Sequence, residues 1–129
     1  MFNFLANPAR FSRLSSQLKP LVGCLTVCFL LSGLWFALLS SPADYQQGDT
    51  VRIMYVHVPC AWMAMFAFLF LSTFSIIGLI WRHPLAHVIA QSAAPIGACF
   101  TLLCLITGSL WGKPMWGTWW VWDARLTSV

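Results

Sequence analysis

The chain has 129 residues, of which 60% are hydrophobic and only 8% charged, with a mean hydropathy of +0.79. A soluble domain carries about 25% charged residues, so the composition is that of an integral membrane protein. The formal net charge of +4 comes from seven Lys/Arg against three acids, too thinly spread for a nucleic-acid surface, and no nucleic acid is expected as a partner.

Residues 1–20 are polar and basic, with Arg10, Arg13 and Lys19 and no acid. An uncharged apolar run then extends over about 21–40, long enough to cross a hydrocarbon core of about 30 Å. It is too long for the apolar part of a cleavable leader, which favours an uncleaved first span. Residues 41–52, with Pro42, Gly48, Asp44, Asp49 and Arg52, read as a loop. A second apolar run covers about 53–80, W-R-H-P (Trp81 to Pro84) makes a turn, and a third run covers about 85–110. The expected architecture is an all-α integral membrane protein with three transmembrane helices in 21–110, a segment at 111–125 outside the bilayer, and the start of a further span at 126–129. Because D-A-R-L-T-S-V opens like another helix with Asp123 as its N-cap, the sequence is expected to be a piece of a longer protein.

Lysine and arginine placement sets the orientation. The basic tail and Arg82 belong in the cytoplasm, two spans apart, whereas the first loop carries two acids and one arginine. Loop 41–52 and segment 111–125 therefore share the opposite side.

Five of the eight tryptophans, Trp111, Trp116, Trp119, Trp120 and Trp122, crowd into that segment. Indoles anchor proteins at membrane interfaces, but five so close together exceed that need. Such a surface suits a large, flat, mostly apolar ligand with charges at its edge, and haem fits. His57, at the outer end of the second span, is on the same side, and an imidazole is the commonest protein ligand of haem iron. The alternative is an interfacial histidine bonded to a carbonyl. Pro59 can fix the direction of the imidazole, and Met54 and Cys60 are neighbouring soft ligands better read as packing. Arg52 and Arg125 are candidate partners for haem propionates, Lys113 a weaker one, and each also reads as a snorkelling cation. Asp123 caps a helix or orients Arg125 or an indole N–H. Gly112 and Gly117 allow turns and close approach to a flat ligand.

His83 and His87 stand four apart on the cytoplasmic side, where a topogenic or capping role is expected. The five cysteines show no C-x-x-C spacing; Cys24 and Cys28 share a helix face, which reads as a soft-metal or redox pair or, better, as small apolar fillers. The chain has no glutamate, paired carboxylates, nucleophile–base pair or phosphate-binding glycine loop, so no enzymatic activity is expected of it.

The string W-G-K-P-M-W-G-T-W-W-V-W-D-A-R-L-T-S closely resembles the tryptophan-rich WWD domain of the cytochrome c maturation protein C (haem exporter protein C) family. G-D-T-V-R-I-M-Y-V-H-V-P-C-A-W-M-A-M resembles the first periplasmic loop of that family running into its second span. The resemblance implies a bacterial inner-membrane protein of six spans, with a cytoplasmic N-terminus and a periplasmic WWD surface that presents haem b in transit. It implies two axial histidines, of which His57 matches the first, and a platform matching Trp111 to Asp123. The second axial histidine lies in a later loop that this sequence lacks, so the piece alone is expected to hold haem weakly or not at all. The implied partners are the haem chaperone (cytochrome c maturation protein E), the ATP-binding-cassette (ABC) transporter subunits of the same system, and membrane lipid. Two alternatives remain: a haem lyase of the same WWD superfamily that joins haem to apocytochrome c, or a truncated membrane subunit that binds no haem.

Overall fold

A computed structural model of the chain describes residues 8–82 and 84–127, so His83 lies outside the described residues, as do 128–129 of the expected fourth span. All its regular secondary structure is helical, and an isolated antiparallel bridge joins Asp44 to Gly48. Two compact units, Met1–Ser41 and Pro42–Val129, divide the chain.

The first unit is helix α1, Pro8–Trp35, continued by a π-helical turn, Phe36–Ser40. A proline suits the first helical position, where its missing N–H costs nothing. Nothing between Ala9 and Lys19 breaks the helix, so it reaches back from the apolar run into the basic tail. Pro20 lies inside it, and the amide it lacks is the donor that would serve Ser16. Large apolar side chains such as Phe29, Leu31 and Phe36 are exposed, as a lipid-facing helix requires.

The second unit is a helical hairpin with two short irregular segments. Helix α2 spans Val51–Trp81 and α3 spans Pro84–Trp116. Arg82 sits between them in the left-handed region with φ 49°, ending α2, and Pro84 then starts α3. The 31 residues of α2 rise about 46 Å at 1.5 Å per residue, longer than a hydrocarbon core, so the helix tilts or projects beyond it. Three helical stretches, Ser12–Ser40, Val51–Trp81 and Leu85–Trp116, are long and apolar enough to cross a membrane. They correspond to the three expected spans.

Small residues bring α2 and α3 together. Cys60, Ala67 and Gly78 of α2 and Ala86 and Ala90 of α3 are buried, while large side chains such as Phe68, Leu79 and Leu102 are exposed. In lipid, where apolar surface gains nothing from leaving the solvent, close backbone approach through small residues is the principal source of packing energy. Three pairs mark the antiparallel register. A Cβ at Gly78 would lie 3.0 Å from the His87 ring, one at Gly97 3.3 Å from Ala67 Cβ, and one at Gly108 3.1 Å from His57 Cε1.

Helix α3 continues past Leu110, so Trp111 and Trp116 are helical. Gly112 is tolerated within a helix, and Pro114 removes only the bond to Leu110. The helix stops at Gly117, whose φ of +78° suits a residue without Cβ and whose N–H still reaches the Lys113 carbonyl at 2.9 Å. A short helix, α4, Ala124–Thr127, follows. Asp123 caps it by accepting from Leu126 N–H at 2.9 Å, as the sequence leads one to expect.

Candidate functional site

At the end of the hairpin away from Arg82, the two helices and α4 enclose a cavity of about 310 Å³. Met54 and His57 line it from α2, one turn apart. Cys104, Leu105, Gly108, Trp111 and Trp116 line it from α3, and Leu126 of α4 adds a further wall. Its size is at the lower end of small-molecule sites, and its walls are apolar apart from one imidazole and two indole edges.

His57 lies against α3. Its Nδ1 is 3.1 Å from the Cys104 carbonyl oxygen and 3.0 Å from Thr107 Oγ1, with Cys104 Sγ at 3.9 Å. Both partners come from one turn of α3. The close approach needs Gly108, where any side chain would meet the ring.

The tryptophans divide into two groups. Trp111 and Trp116 meet edge to face at 5.0 Å and form part of the cavity wall. The Trp111 indole N–H donates to Gln47 Oε1 at 3.0 Å, which ties the loop before α2 to α3. Gln47 is placed by an Asx turn, in which Asp44 Oδ1 accepts from Gln46 N at 2.8 Å and Gln47 N at 2.9 Å. These backbone donors, Gln47 first, hold the Asp44 carboxyl below its ordinary value. Thr50 Oγ1 also contacts Met115 Sδ at 4.0 Å.

Trp119, Trp120 and Trp122 belong to the irregular stretch after Gly117 and are not among the residues lining the cavity. Trp120 and Trp122 pack edge to face at 5.9 Å, and Trp122 is 84% exposed. Lys113 donates to the Gly117 carbonyl at 2.9 Å and lies 5.8 Å over the Trp119 ring, a cation–π contact that steadies the turn. The indole N–H of Trp120 is buried with no hydrogen-bond partner among the described residues.

Of the candidate charges, Arg52 pairs with Asp49 at 3.4 Å and Asp123 caps α4; neither lines the cavity. The side chain of Arg125 lies outside the described residues. Cys60 is buried in the helix seam, and His87 packs on Gly78 at the other end of the hairpin. Among the described residues no group of three His, Cys, Asp or Glu is arranged to hold a bare metal ion. Thr107, Gly108, Gln47 and Leu126 are the residues that the sequence does not single out. Thr107, a polar residue one turn before Trp111 in an apolar run, carries the one signal that would have found one of them.

Fold and site together define a multi-pass membrane protein with a histidine seated between two of its helices beneath a tryptophan-rich end. The chain belongs to the Heme exporter protein C (CcmC) family, whose model matches residues 1–129. It is 58% identical over 125 residues to the Heme exporter protein C of Bradyrhizobium diazoefficiens, covering 97% of this chain and 47% of that protein. It is 46% identical over 124 residues to the Heme exporter protein C of Escherichia coli K12, covering 96% and 51%. A putative cytochrome c biosynthesis ccmC-like mitochondrial protein of Marchantia polymorpha is 50% identical over 105 residues, 81% of this chain and 44% of that protein. The chain spans about half the length of the curated relatives it matches.

Proposed function

We propose that the chain forms part of a haem-binding membrane subunit of a bacterial cytochrome c maturation system, with haem as cargo. His57 is the axial ligand to iron, and Trp111 and Trp116 flank the ring edge. Trp119, Trp120 and Trp122, together with Asp123, extend the aromatic surface, and Arg52 and Arg125 meet the propionates. The observation that carries this reading is the cavity shared by His57, Trp111 and Trp116. It brings the imidazole together with the first two tryptophans of the segment at one hairpin end, and the relatives' name, Heme exporter protein C, points to haem as the ligand.

In this reading the chain lies in the inner membrane with its N-terminus in the cytoplasm. The distribution of Arg10, Arg13, Lys19 and Arg82 against Asp44 and Asp49 supports that orientation. The subunit presents haem b at the periplasmic face, hands it to the haem chaperone of the system, and works beside ABC transporter subunits. Its role is binding and transfer of cargo.

His57→Ala is the test. Membranes containing the full-length protein with this substitution, supplied with haem and solubilised in detergent, are expected to lose the Soret absorbance that co-purifies with the full-length wild type. Undiminished haem in the variant removes the ligand assignment. Accumulation of mature cytochrome c without chaperone–haem adduct would favour the lyase alternative.

A further inference from the structure

We infer that Thr107 is a positioning residue that, with the Cys104 carbonyl, sets the tautomer of His57 and leaves Nε2 as its coordinating atom. The inference rests on the reading of His57 as an iron ligand, but its first step concerns only proton placement. The Cys104 carbonyl oxygen, 3.1 Å from Nδ1, can only accept a hydrogen bond. Thr107 Oγ1, 3.0 Å from the same nitrogen, has one hydrogen to give. Two backbone acceptors compete for it, the Leu103 carbonyl at 2.6 Å and the Cys104 carbonyl at 3.2 Å. Once that hydrogen is given to the helix, the hydroxyl faces the imidazole with a lone pair. Were the hydroxyl to donate to Nδ1 instead, Nδ1 would be an acceptor facing the Cys104 carbonyl with no hydrogen between them. The arrangement is satisfied only when Nδ1 carries the proton and shares it between the two oxygens.

In a neutral imidazole protonated on Nδ1 the lone pair resides on Nε2. Every hydrogen bond the structure records for the ring runs through Nδ1, so Nε2 is uncommitted among the described residues. A histidine side chain in water ordinarily prefers the other tautomer, with its proton on Nε2, which leaves that nitrogen without a lone pair for iron. Thr107 and Cys104 therefore reverse the intrinsic preference before ligand arrives. Hydrogen bonding to Nδ1–H also makes Nε2 more basic, the usual way an outer partner strengthens a ligating histidine. Gly108 completes the seat by admitting the Cε1 side of the ring close against α3.

The test is nitrogen NMR of the [15N]histidine-labelled chain in nanodiscs without haem, with His57→Asn assigning the resonances. The expected spectrum shows a protonated Nδ1 and an unprotonated Nε2. Thr107→Val, which keeps the side-chain shape and removes the acceptor, is expected to move part of the proton population to Nε2, and Thr107→Ser to restore the wild-type pattern. A wild-type spectrum with the proton on Nε2, or no change in Thr107→Val, overturns the inference. In a second arm haem is added to the full-length protein: Thr107→Val is expected to bind it about tenfold more weakly, and its reduction potential to rise as the ligand donates less. If His57→Ala keeps its haem, the ligand reading fails while the tautomer result stands. If His57→Ala loses haem and Thr107→Val leaves both spectrum and potential unchanged, only the positioning role fails.

Discussion

Gly108 and His57 form a matched pair: a Cβ at position 108 would lie 3.1 Å from Cε1 of the imidazole, tighter than most such contacts. Gly108→Ala forces the ring away from α3 by a few tenths of an ångström and lengthens both bonds from Nδ1. The expected cost is about 1–3 kcal/mol, the range for overpacking a close interface. Reduced haem retention with the helical circular dichroism preserved is the signature, and wild-type retention would show that the seat tolerates a methyl group.

Gln47→Leu removes the acceptor for the Trp111 indole N–H. The loss is expected to cost about 1 kcal/mol and to leave the indole unpaired at the cavity edge. Tryptophan fluorescence, read in a background where Trp111→Phe identifies the signal, should show a change in polarity around Trp111. An unaltered spectrum would mean that the loop does not hold the indole.

The turn that presents Gln47 is expected to weaken in acid. The folded-state value of Asp44 is depressed by the backbone N–H groups of Gln47 and Gln46, so the unfolded loop takes up a proton first as pH falls. The stabilisation is complete above the unfolded carboxylate value and disappears as pH falls through the folded one. Amide exchange at Gln46 and Gln47 should accelerate below that range relative to a control loop. Asp44→Asn, which keeps an acceptor but does not titrate, should abolish the acid-specific acceleration.

Asp123→Ala deletes the cap of α4. A lost N-cap costs about 1 kcal/mol, which for a four-residue helix is enough to release it. Amide exchange through 124–127 is expected to rise sharply, and Leu126 to leave the cavity wall. Restoration by Asp123→Ser would identify the carboxylate's role as capping.

The spans were legible because charge-free apolar runs and the interruptions at Pro42 and at Arg82 to Pro84 leave few alternatives. The end of α3 was less so. Gly112 and Gly117 read as turn positions in a segment outside the bilayer, yet Gly112 and Pro114 each leave at most one helical bond missing, and Gly117 is where the chain turns. His57 was visible as a histidine at the outer end of an apolar run, and Trp111 as the first of five crowded tryptophans. Their partners were not. Thr107 bonds to its own helix as membrane threonines commonly do, and Gln47 is one of two adjacent glutamines, with only the Asp44 turn selecting it. Trp119, Trp120 and Trp122 could not be assigned from spacing, since a chain in no regular structure gives no periodicity to count.

The left-handed residue at Arg82 has an effect at the opposite end of its helix. By closing the hairpin in so few residues, it gauges which side of α2 is turned to α3 along the whole length. One residue inserted between that corner and His57 would rotate the imidazole by about 100° and carry it about 1.5 Å along the axis, out to the lipid. The phase of the imidazole is thus set at the opposite end of the hairpin from the ring itself.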